Sequence, residues 1–147
     1  MRTILTGTPL KFLGAALGLL ALAGPAVAQF GGPPPPPNTG VPLYAKLGVA
    51  GQGAATVVVD PPKGTACYLL NVGGLADVTA AHIHLGGPGE NGRVVVPFDN
   101  PEGGTSGGCA TVTAEQSAAL LANPGGYYVN VHTRAQPQGA IRGQLMK

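Results

Sequence analysis

An all-β domain, a sandwich or barrel of short strands, is the fold class the sequence predicts. Three observations predict it. Short runs rich in Val, Ile, Tyr and Thr recur beyond residue 40. Turn signals built from Gly, Pro, Asn and Asp separate them, and along three of the runs apolar and polar residues alternate. Gly and Pro are abundant, 25 and 15 of 147 residues, yet five of the prolines form one run at positions 33–37. The others punctuate β-branched segments, so the composition fits a turn-rich β domain better than a disordered chain.

Taken in order, the chain first predicts a secretory signal peptide over residues 1–28. Arg2 and Lys11 supply the positive start, residues 12–23 are apolar and uncharged, and Ala26-Val27-Ala28 fits the small-x-small cleavage pattern. The apolar stretch is shorter than the ~20 residues a membrane helix needs. Residues 29–41 predict a proline-rich linker, with its proline run an extended polyproline II spacer. Residues 42–147 predict the folded domain. Strands are expected at 43–49, 54–60, 66–72, 79–85, 93–98, 108–112, 127–134 and 140–145. Asp60-Pro61-Pro62-Lys63-Gly64, Gly73-Gly74, Gly86-Gly87-Pro88-Gly89 and Asn100-Pro101-Glu102-Gly103-Gly104 mark turns between them. One helix is expected after Thr113. Thr113 with Gln116 three residues on is a capping-box pattern, Leu120 and Leu121 form the apolar side, and Asn123-Pro124-Gly125-Gly126 ends it.

Charge narrows the partners. Beyond residue 28 the chain carries six acids, Asp60, Asp77, Glu90, Asp99, Glu102 and Glu115, against six bases, so the formal +2 of the whole chain belongs to the signal. No Lys or Arg cluster suggests nucleic acid, and no second long apolar run suggests a membrane span in the mature chain. Cys67 and Cys109 are the two cysteines. An even count in an exported chain predicts a disulfide bond.

The strand faces point to a site. In residues 80–85, Ala81, Ile83 and Leu85 share one face, and His82 and His84 share the other. In residues 127–134, Tyr127, Val129 and Val131 oppose Tyr128, Asn130, His132 and Arg134. In residues 140–145, Ile141 and Leu145 oppose Arg142 and Gln144. A hairpin symmetric about Pro137 would place Arg134 opposite Ala140, His132 opposite Arg142, and Asn130 opposite Gln144. A polar patch of Asn130, His132, Arg142 and Gln144 is therefore expected.

Three segments carry a family resemblance. Ala81-His82-Ile83-His84-Leu85-Gly86 with Gly89-Glu90-Asn91-Gly92, then Tyr127-Tyr128-Val129-Asn130-Val131-His132-Thr133, then Pro137-Gln138-Gly139-Ala140-Ile141-Arg142-Gly143-Gln144-Leu145 resemble, in order, motifs of the chordin-like CHRD domain family. The Glu-Val-Pro-Pro stretch often found in the family's first strand is replaced here by Leu47-Gly48-Val49-Ala50-Gly51-Gln52-Gly53. The resemblance implies an extracellular, immunoglobulin-like antiparallel β-sandwich. It assigns no activity.

Two functions fit the patch. The domain could have a binding or structural role at the cell surface or in the periplasm, with Asn130, Arg142, Gln144 and neighbouring loops as contacts for a protein or glycan. Alternatively His82, His84 and His132 could ligate Cu or Zn, because two His at i and i+2 on a strand point the same way and imidazole suits both metals. Enzymatic chemistry has little to stand on. Ser106 and Ser117 are the only serines, and neither lies in a nucleophile-elbow pattern.

Overall fold

The computed structural model describes residues 39–48 and 52–147. The expected signal peptide and most of the linker lie outside the described residues. The strands are β1 (Val41–Leu47), β2 (Gly53–Asp60), β3 (Thr65–Val72), β4 (Val78–Leu85), β5 (Val94–Phe98), β6 (Thr105–Thr111), β7 (Tyr127–Thr133) and β8 (Ile141–Gln144). The helix α1 (Ala114–Ala122) precedes β7. Two antiparallel four-stranded sheets, ordered β1-β2-β3-β6 and β5-β4-β7-β8, make an all-β sandwich. The fold class is the one the sequence predicts.

Alternation builds the core. Leu43, Ala45 and Leu47 of β1, Ala55, Val57 and Val59 of β2, and Ala66 and Leu70 of β3 point inward from one sheet. Ala81 and Ile83 of β4, Val96 of β5, and Val129 and Val131 of β7 meet them from the other. Burying such a face removes roughly 25 cal/mol per Å² of apolar surface from water. Tyr68 and Phe98 stack across the two sheets with ring centroids 4.0 Å apart. The Tyr68 hydroxyl donates to Asp99 Oδ2 at 3.0 Å and accepts from the Asp99 amide at 2.7 Å.

One side of the sandwich is tied by its last residues. Tyr44 and Met146 exchange two backbone hydrogen bonds of 2.8 Å, linking β1 to the chain beyond β8. Helix α1 has the expected reciprocal cap. The Gln116 amide donates to Thr113 Oγ1, the Thr113 amide donates to Gln116 Oε1, and Leu120 is fully buried. Cys67 and Cys109 lie directly opposite each other on β3 and β6 and form the expected disulfide.

Three expectations need correction. Strand β6 starts at Thr105, three residues before expected, and includes Gly107 and Gly108. Glycine in a strand interior weakens the strand signal. Here Gly108 lies beside Tyr68, and a Cβ on it would come 3.1 Å from the Tyr68 hydroxyl.

The β7–β8 pairing differs by two residues. Asn130 faces Arg142, Tyr128 faces Gln144, and Val131 faces Ile141. His132 therefore does not sit opposite Arg142. The loop folds as two successive turns, with the Gln136 amide on the Thr133 carbonyl and the Gly139 amide on the Gln136 carbonyl, each at 3.1 Å. Ala140 then rejoins the ladder by donating to Val131, so the loop centres on Gln136 rather than Pro137. A two-residue shift leaves every side chain on its expected face, because the side-chain period is two.

The polar face is also less open than alternation suggests. Tyr128 and Asn130 are 1% and 3% exposed, so β7 is buried on both sides. Its second cover is made by the loops following β4 and β7.

Candidate metal centre

Strands β4 and β7 pair with His82 opposite Asn130, His84 opposite Tyr128 and Ala80 opposite His132. This register sets His82 and His84 in one column and His132 in the next, offset along the strand, on the face away from the core. The three rings converge. Centroids lie 5.2 Å apart for His82 and His132, and 5.5 Å apart for His84 with each of the other two. One ring nitrogen from each residue lies within 4.8 Å of the other two.

Backbone carbonyls orient two of the rings. His84 Nδ1 is 2.9 Å from the Gly92 carbonyl oxygen, and His132 Nδ1 is 2.9 Å from the Pro137 carbonyl oxygen. A carbonyl only accepts, so each Nδ1 must carry the proton. In the neutral ring this leaves Nε2 with a free lone pair. Both Nε2 atoms are buried without a hydrogen-bond partner, and so is Nδ1 of His82. Buried polar atoms are nearly always partnered. The Nε2 atoms of His84 and His132 are acceptors lacking a donor, His82 Nδ1 is unpartnered beside them, and a cation would supply what the three lack.

Electrostatics favours the neutral ligand form at two of the three. Burial is the main influence lowering the affinity of His82 for a proton, and the neighbouring imidazoles of His132 and His84 add to it. Burial likewise lowers that of His84, opposed by its bond to Gly92 and assisted by His132 and Arg142. Metal–nitrogen bonds of about 2 Å separate ligand atoms by roughly 3.5 Å, so a bound ion would draw the rings in by about 1 Å. No Asp, Glu or Cys joins the cluster among the described residues.

Arg142, Gln144 and Asn130 have other occupations. The Arg142 guanidinium lies 3.5 Å over the Tyr128 ring centre. It donates to the carbonyls of Glu90 at 2.8 Å and Gly87 at 3.3 Å, and reaches Asn91 Oδ1 and Gln144 Oε1 at 3.4 Å. Gln144 Nε2 donates to the carbonyls of Gly86, Gly125 and Tyr127. Asn130 Nδ2 donates to the Gln138 carbonyl at 3.2 Å. These side chains fasten the loops that carry Gly92 and Pro137. Tyr128 stacks against His84 with centroids 5.0 Å apart, and its hydroxyl accepts from the Gly92 amide at 3.2 Å.

Sequence reasoning placed the three histidines on the right face but missed Tyr128, Gly92 and Pro137 as their supports. The last two act through backbone carbonyls, which no side-chain pattern displays. Their only signal was membership of the Gly-Glu-Asn-Gly and Pro-x-Gly segments that resemble family motifs. A separate cavity of about 520 Å³ lies near Leu75, Asp77, Glu102 and Arg134, and none of the three histidines lines it.

The family model of the CHRD domain matches residues 22–145. No curated protein and no solved structure matches the chain.

Proposed function

Since the chain belongs to the CHRD domain family, whose domains are generally extracellular, we propose that it is an exported domain that binds one copper or zinc ion through His82, His84 and His132. One observation carries the metal reading. Three converging imidazoles each carry a buried, partnerless ring nitrogen, and two of the rings have their tautomer fixed in the ligating form by a backbone carbonyl. Such carbonyl support behind ligating imidazoles is the usual outer shell of a histidine metal site.

Export rests on the signal pattern of residues 1–28 and agrees with the Cys67–Cys109 disulfide. The described residues contain no helix long and apolar enough to cross a membrane. A periplasmic or secreted location fits these features.

A second reading makes the domain a protein- or glycan-binding module using Asn130, Arg142 and Gln144. The hydrogen bonds of those side chains favour it less, since they are directed to the protein's own loops.

Calorimetric titration of the purified domain with Cu or Zn tests the metal reading. Uptake of one ion per chain, with a Kd of micromolar or below, is expected, and His84→Ala should weaken it by at least about 100-fold. Binding no tighter than roughly millimolar, or unaltered by His84→Ala, removes it.

A further inference from the structure

The geometry points to copper(I) as the ion this centre prefers over any divalent metal. The inference rests on the three-histidine reading above and concerns the charge of the ion. Nothing anionic meets the ion: its three donors are neutral imidazoles, and no described Asp, Glu or Cys belongs to the cluster. Neutral donors leave the full charge of the ion in a partly buried place, where its desolvation rises steeply with charge.

A fixed cation adds to this. Arg142 sits on the Tyr128 ring, and the same ring stacks on His84. Its hydrogen-bond partners are the Gly87 and Glu90 carbonyls and the Asn91 and Gln144 side-chain oxygens, all of them neutral. Glu90, the acid of that loop, turns its carboxylate onto the Gly87 amide on the exposed side, where water screens it. The guanidinium therefore repels an ion at the centre without a buried counter-charge. A dication feels twice the repulsion of a monocation.

Donor number acts in the same direction. Copper(II) favours tetragonal coordination, and zinc on three histidines needs a water as its fourth ligand. Copper(I) is a filled-shell monocation for which three nitrogens suffice. The cluster offers three, and the two held by Gly92 and Pro137 converge from different strands.

Competition against chromophoric chelators tests the inference. The metal-free domain is titrated anaerobically with copper(I), and separately with zinc and copper(II). Copper(I) should bind at least about 100-fold more tightly than zinc. Arg142→Gln should narrow that ratio by roughly tenfold, and Arg142→Lys, which keeps the charge, should preserve it. Zinc or copper(II) binding as tightly as copper(I), with His84→Ala still weakening uptake by at least about 100-fold, overturns the preference and leaves the metal centre standing. No uptake of any of the three ions overturns both.

Discussion

Two carbonyl oxygens, of Gly92 and Pro137, decide the chemistry of the histidines. By accepting from Nδ1 they leave the Nε2 lone pairs of His84 and His132 free within a cluster of three imidazoles. Without an ion this arrangement has a pH consequence. Burial lowers the proton affinity of His82 and His84 below the ordinary imidazole value of 6.5. The unfolded chain therefore takes up protons first as pH falls. Stability contributed by these two groups is complete above about pH 6.5 and is lost as pH drops toward their lower folded values. Asp60 does not interfere in this window. Its bonds to Lys63 and Thr39 lower its carboxyl pKa below 3.8, so its stabilising contribution is lost only in stronger acid. Urea unfolding of the metal-free domain should show lower stability at pH 5 than at pH 7.5. Equal or greater stability at pH 5 would mean that the two imidazoles are not held neutral.

At the scale of elements, the loop between β4 and β5 is as much part of the centre as the strands. Arg142 and Gln144 of β8 grip its carbonyls, and the Tyr128 hydroxyl of β7 takes the Gly92 amide. Gly92 packs so tightly against Leu85 that an added Cβ would collide with the Leu85 carbonyl. Gly92→Ala must therefore push the loop outward and carry the acceptor of His84 Nδ1 with it. Loss of such outer-shell support typically costs 10- to 100-fold in metal affinity. Calorimetry on Gly92→Ala should show a loss of about that size while circular dichroism retains the β signal. Metal affinity equal to the parent's would detach the loop from the centre. Helix α1 shows the opposite case, an element whose start its own sequence specifies. Thr113 and Gln116 cap each other within one turn, so no distant residue is needed to set it.

For the molecule as a whole, the disulfide and the centre reside in different sheets. The disulfide joins β3 to β6, whereas all three histidines belong to the sheet of β4 and β7. The bond spans 42 residues of sequence, and closing a loop of that size stabilises the fold by about 4 kcal/mol through the entropy of the unfolded chain. Replacing both cysteines with serine should lower the unfolding free energy by roughly 2–4 kcal/mol in urea. Metal affinity of the folded fraction should stay within about threefold of the parent's. A large loss of affinity in a protein that is still folded would show that the two sheets are coupled.

The family resemblance implied the sandwich; the sequence alone determined the all-β class, the inward faces, the cap of α1 and the pairing of two cysteines. Each follows from local rules: a period of two along a strand, a hydroxyl three residues before a glutamine, an even cysteine count. It also put His82 and His84 on one face and His132 on the outward face of another strand. What it could not fix was distance across the chain. The loop before β8 centres on Gln136 rather than Pro137, because two consecutive turns rather than the proline set its geometry. That shift took His132 away from Arg142 and brought Asn130 opposite it. Only the tertiary structure decided that β4 and β7 are neighbours, that carbonyls of Gly92 and Pro137 choose the tautomers, and that Tyr128 and Asn130 are buried on the supposedly open side. Strand adjacency and backbone acceptors arise from long-range packing, and a pattern of side chains along one strand contains no record of either.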